Sequence, residues 1–250
     1  MPAQGAYERY RSQLSATSIG KIAGSGIICA GEVFWVKKST DADYAEFQND
    51  RAAGELFNTI QAALDACQSD RHDWVIVTTP DDNAAYSIGA AGLTMTKRFV
   101  HLCGGETQFG APEIDFTGAL GMQIGVGVSG TNPSRGCELR QLKLYTLLAG
   151  TVVLQIGDAT RHPYDTQITG CGLVNLHATA TAPEFRDYGN DLKVTGGYLG
   201  TGLAAHPQDI YTQIGISGFG STTWVDVVFY SRATAVGDQF MTFITLSEPH

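Results

Sequence analysis

The sequence is short of charge, of basic residues, of paired cysteines and of long apolar runs, and each shortage removes a class of protein. Charged residues make up 16% of the 250, well below the roughly 25% of an average globular domain. Lysine and arginine number 16 against 25 acidic residues, a formal net charge of −9. Duplex binding needs clustered cations to displace counterions, so no nucleic-acid partner is expected. No stretch approaches 18 consecutive apolar residues, so no transmembrane helix and no membrane partner are expected. The opening MPAQGAYERYRSQL carries charges where a signal peptide carries its apolar core, which predicts synthesis and assembly in a cytoplasm. Five cysteines (Cys29, Cys67, Cys103, Cys137 and Cys171) are odd in number and form no C-x-x-C pair. Disulfide frameworks and metal clusters need even or closer sets, so these read as buried thiols filling small core positions. The six histidines have no ligand spacing either. No cofactor and no metal are expected.

What is present points to strands. Apolar residues reach 43% and glycine 30 residues, a balance that fits an all-β fold with many tight turns. Residues 1–30 read as an N-terminal arm, with Tyr7, Tyr10 and Leu14 able to make one helical turn before the glycine-rich SIGKIAGSG. GEVFWVKK, residues 31–38, is the first strand signal, and STDADYAEFQNDRAAG reads as a polar loop. A helix follows. Asn58 or Thr59 can cap it, and Ile60, Ala63, Leu64 and Cys67 form one apolar stripe, with Gln61, Asp65 and Gln68 opposite. Strand signals resume at Trp74.

Beyond Trp74 the apolar segments repeat. One set of triplets begins at Val75, Val100, Ile124 and Val152, at steps of 25, 24 and 28 residues. A second begins at Leu139, Ile168 and Val194, at steps of 29 and 26, and closes five residues later on Leu144, Leu173 and Leu199. Two interleaved ladders with a common step are the pattern of a coiled solenoid, each coil advancing about 4.8 Å along the axis. A jelly roll or sandwich would show short strands without one shared coil length. Residues 31–200 therefore read as a parallel β-helix, and the helix at Ile60 as a cap over its open end. Residues 201–250, rich in aromatics, read as final coils or a small β element for assembly.

FNTIQAALDAC, then RHDWVIVTTP, then YSI after a turn, resembles the start of the right-handed parallel β-helix family with the pectin-lyase-like fold. Together with GEVFWV and KRFVHLCG it is similar to short β-helix proteins that tailed bacteriophages encode as virion components. The phrase covers about residues 31–104, and the coil pattern alone extends it. Pro80 is followed by DDNAAY rather than the family's G-x-Y, so the first turn is longer. The resemblance implies a right-handed β-helix, and it covers lyases, hydrolases, spikes and inert scaffolds alike.

Stacked acids are the sharpest candidates for chemistry. Aligning the second ladder sets Asp165 and Asp191 at one position, with Glu113 and Glu138 near that line in earlier coils. Carboxylates one strand apart repel, raise one pKa or recruit a cation. A polysaccharide lyase or hydrolase would use Asp165 and Asp191 this way, with Lys193 and Arg161 the nearest basic residues by sequence. The plainer reading places both aspartates at turn exits, bonded to their own backbone. His101 alternates with Val100 and Leu102 and reads as an outward surface histidine. The glycine motifs GSG, GVGVSG and GCG precede no helix and read as turns.

The function expected on these grounds is structural: a bacteriophage capsid decoration or cement protein, a homotrimer in the virion, touching the major capsid protein or other virion proteins. A tail spike or receptor-binding protein holding host glycans is the second reading, and the Asp165–Asp191 enzyme the third. No catalytic residue is assigned under the first.

Overall fold

A computed structural model describes residues 31–105, 110–126, 134–158, 160–177, 185–189, 191–201, 212–214, 222–230 and 242–243. The expected arm at 1–30 lies outside the described residues. The chain enters through β1 (Val33–Val36), helix α1 (Tyr44–Asn49), β2 (Leu56–Phe57) and helix α2 (Ile60–Ala66). It then makes three strands per coil. These are β3 (Asp73–Val77), β4 (Tyr86–Ile88) and β5 (Leu93–Met95), followed by β6 (Val100–Gly104), β7 (Glu113–Phe116) and β8 (Leu120–Ile124). The next two coils hold β9 (Glu138–Arg140), β10 (Lys143–Thr146), β11 (Val152–Ile156), β12 (Gln167–Thr169), β13 (Gly172–Asn175) and β14 (Phe185–Asp187). Last come β15 (Leu192–Thr195), β16 (Tyr198–Thr201), β17 (Thr212–Ile214), β18 (Thr222–Val225), β19 (Val228–Tyr230) and β20 (Thr242–Phe243).

Every third strand stacks on its predecessor, and every pairing is parallel. Sheet A has eight strands in the order β18-β15-β12-β9-β6-β3-β1-β2; sheet B runs β19 to β4 and sheet C β20 to β5, six strands each. This is a parallel β-helix. The strands of residues 201–250 that are described add to these same three sheets.

The alternation of period two sends one row of each strand inward. In sheet A that row is Phe34, Val75, Leu102, Leu139, Ile168 and Val194, stacked in register. In sheet B it is Tyr86, Ile114, Leu144, Leu173 and Leu199. In sheet C it is Leu93, Met122, Leu154 and Phe185. All these side chains are buried in one core. The second sequence ladder is therefore real on both its lines. The first is not a single ladder: Val75 pairs with Leu102 rather than Val100, and Ile124 and Val152 belong to sheet C, where Ile124 pairs with Ile156. All three sheets carry the same inward pattern, so a step near one coil length can cross from one sheet to another.

The helix α2 starts where expected. Thr59 is its N-cap and accepts the Ala62 amide at 3.3 Å, and Ile60, Ala63, Leu64 and Cys67 all enter the core. The segment read as a polar loop contains α1, anchored by Phe47 edge-on to Trp35 at 5.5 Å. Arg51 lies over that same Phe47 ring, 3.2 Å from its centroid.

Single left-handed residues turn the corners. Ahead of sheet A, His72, Phe99, Gly136, Asp165 and Asp191 all have φ between 54° and 61°. Each stands two residues before an aligned strand position: Trp74, His101, Glu138, Gln167 and Lys193.

Candidate functional site

Asp165 and Asp191 do occupy equivalent positions one coil apart, about 4.8 Å along the axis. The position is the corner ahead of sheet A, where the backbone must take a positive φ, 55° at Asp165 and 57° at Asp191. Aspartate tolerates that region better than most residues, which accounts for its presence there without any ligand. Asp165 accepts a hydrogen bond from Arg135 Nε at 2.9 Å, with both side chains about half exposed. The line stops there, because the equivalent positions in earlier coils are Gly136 and Phe99.

The other acids of the expected line lie elsewhere. Glu113 is in sheet B, where Lys143 Nζ donates to it at 2.6 Å. Glu138 is two residues past the corner, on the outer row of sheet A. Arg161 is tied to Asp158 at 2.9 Å, and Lys193 stands on the exposed row beside Gln167. These groups do not converge with Asp165 and Asp191 on one centre.

Instead, the outer row of sheet A builds a different cluster. In register, Trp74, His101 and Glu138 stand on β3, β6 and β9. Trp74 and His101 stack at 4.4 Å with planes 13° apart. His101 Nδ1 lies 3.1 Å from Glu138 Oε2, a distance at which the ring N–H donates to the carboxylate. His101 Nε2 lies 3.3 Å from Nδ1 of His72, whose ring also leans on Phe99 at 4.6 Å. His101 does face outward as its alternation implied, yet its neighbours leave it only 6% exposed. The sequence showed its direction and not its cover, because the cover comes from residues 29 and 37 positions away.

Below this cluster Asp73 is fully buried. It accepts from Arg71 Nε at 2.6 Å, from the Gln68 amide at 2.7 Å and from the Glu32 amide at 2.9 Å. Burial alone raises its carboxyl pKa, and the guanidinium and two amides outweigh that and hold it below the ordinary carboxylate range. On sheet B, Asp115 pairs in register with Tyr145, and burial raises both groups. Neither Asp73 nor Asp115 stood out by spacing. The buried thiols Cys67, Cys137 and Cys171 are each pushed up to about 12, chiefly by desolvation, which leaves them inert as nucleophiles.

Across the outer surface four acids reach a basic group one coil away: Asp70 to Arg98, Glu113 to Lys143, Glu138 to His101 and Asp165 to Arg135. Among the described residues no group of three or more His, Cys, Asp or Glu side chains is placed to hold a metal ion, and no helix is long and apolar enough to cross a membrane. Compared with known proteins, the chain matches no family model, no curated protein and no solved structure.

Proposed function

We propose that this chain is a structural scaffold that works through protein–protein contacts, a β-helix of the kind that decorates or cements a bacteriophage capsid. The observation that carries the scaffold reading is the set of ion pairs running from coil to coil. Asp165 of the expected Asp165–Asp191 pair, and Glu113 and Glu138 near its line, are held by Arg135, Lys143 and His101 of a neighbouring coil. Such pairs tie one coil to the next and fix their register, a structural use for these carboxylates. The virion setting rests on the likeness of FNTIQAALDAC and its flanking strands to short phage β-helix proteins, and the trimer and the capsid partner rest on it too.

The test is binding of the purified full chain to capsid shells of the virus whose genes adjoin this one. Saturable binding at a stoichiometry matching the shell symmetry is expected, lost on deletion of residues 1–30 while the thermal transition stays in place. Absence of the chain from purified particles would sink the proposal. The enzyme reading has its own assay: turnover of acidic polysaccharides that disappears in the Asp165→Asn, Asp191→Asn double variant would replace the scaffold with a catalyst.

A further inference from the structure

We propose that the His72–His101–Glu138 relay is an acid-sensitive latch that ties the first coils of the β-helix together and opens when both histidines carry a second proton. The relay spans three coils. His72 closes the corner ahead of β3, His101 sits on β6 and Glu138 on β9. Its middle contact joins two ring nitrogens at 3.3 Å, His72 Nδ1 and His101 Nε2. Such a contact holds only while one nitrogen carries hydrogen and the other offers a lone pair. With Nδ1 of His101 donating to Glu138, the two rings can share one further proton between them. A second proton sets two N–H groups head to head and two positive rings 5.6 Å apart, centroid to centroid.

The surroundings relieve that charge only in part: Glu138 faces His101, and no unpaired acid faces the contact between the two rings. Around His72 stand Asp70, Arg71 and Asp73 of its own turn, Arg98 and Phe99 of the β5–β6 corner, and His101. Asp70 is already paired with Arg98, and Asp73 with Arg71. Around His101 stand Trp74, His72 and Glu138, with Arg140 two residues along β9 adding positive charge on the same outward side. Desolvation first, and His101 second, hold the His72 ring below its ordinary value of 6.5, against the pull of Asp70 and Asp73. A folded-state pKa lowered in this way contributes stability that is complete above 6.5 and is lost as pH falls from there through the lowered folded value. Release of His72 also frees a corner held at φ 60° and uncovers His101, which the stacked rings bury.

The test is hydrogen exchange of the full chain at pH 7.5 and pH 5.0, corrected for intrinsic rates. Amides of residues 73–77 and 100–104 are expected to lose about tenfold or more in protection at pH 5.0, while those of 167–169 and 172–175 keep theirs. His72→Asn keeps a residue suited to the left-handed corner and removes the titrating ring, so the local loss should vanish in it. An equal loss in all coils of the unmodified protein would overturn the latch, and that readout needs no variant. The same loss in His72→Asn would overturn it as well. So would a rise in melting temperature with Zn²⁺ at pH 7.5 that depends on His72, since the pair would then be a metal site.

Discussion

At the scale of the residue, the corner ahead of sheet A carries one backbone demand met by five residues of four kinds. His72, Phe99, Gly136, Asp165 and Asp191 all sit at positive φ, which costs an ordinary side chain about 1–2 kcal/mol. Asn fits there as well as Asp. Asp191→Asn and Asp165→Asn are therefore expected within about 0.5 kcal/mol of the parent by urea unfolding, since an exposed pair such as Asp165–Arg135 is worth little. Asp191→Val should lose about 1–2 kcal/mol. A large loss in Asp165→Asn would mean the carboxylate does more than turn the chain. Asp73 makes the opposite case. It is fully buried and held by Arg71 and two amides, so Asp73→Asn is expected to cost on the order of 3 kcal/mol. Its lowered pKa means that this stability is complete above the ordinary carboxylate value and is lost as pH falls through the folded one. An acid titration of unfolding should thus show a component below about pH 4 that Asp73→Asn lacks.

At the scale of the element, α2 was legible and α1 was not, and helix physics explains both. α2 combines a capping threonine with an apolar stripe at helical spacing, two signals that agree. In α1 the only buried residue is Phe47, among polar neighbours over six residues. A helix that short is unstable alone; it exists because Phe47 docks on Trp35 and Arg51 covers the ring, contacts that only the folded chain supplies. The α2 stripe packs beside β1, β2, β3 and β5, the start of the coil stack. Leu64→Ala should cost about 2–5 kcal/mol and Thr59→Ala about 1 kcal/mol, both read by thermal or urea unfolding. A helix capping that end would also guard the strand edges from pairing with other molecules. Ile60→Asp is then expected to give soluble aggregates by light scattering, and a monodisperse variant would remove the capping role.

At the scale of the whole molecule, stability is built from repeating neighbours. Each strand of a solenoid meets only the coils before and after it, so terminal coils have fewer partners than central ones. Hydrogen exchange should be slowest in β6, β9 and β12 and in β7, β10 and β13, and faster toward β18 and β19. Leu144, fully buried in the middle of its ladder, should lose about 3–5 kcal/mol as Leu144→Ala. The loss should spread to both neighbouring coils in an exchange experiment. Protection that is uniform from end to end would mean that the stack unfolds as a single unit. The ion pairs between coils add specificity of register more than stability, because exposed pairs are screened by salt.

Legible in the residues alone were the strand class, the inward apolar rows at Leu139–Ile168–Val194 and Leu144–Leu173–Leu199, a helix capped at Asn58 or Thr59, and the shared corner of Asp165 and Asp191. All of these are local patterns or repeats, and local patterns follow from the two-residue and 3.6-residue periods of the backbone. Tertiary structure alone decided which sheet each triplet joined and which residues met across coils. Loop closure costs grow only with the logarithm of length, so coils of unequal length stack equally well and spacing does not name the partner. Val75 thus pairs with Leu102 rather than Val100. For the same reason Glu138 left the Asp165 line and came to rest against His101, on the outer face of the first three coils.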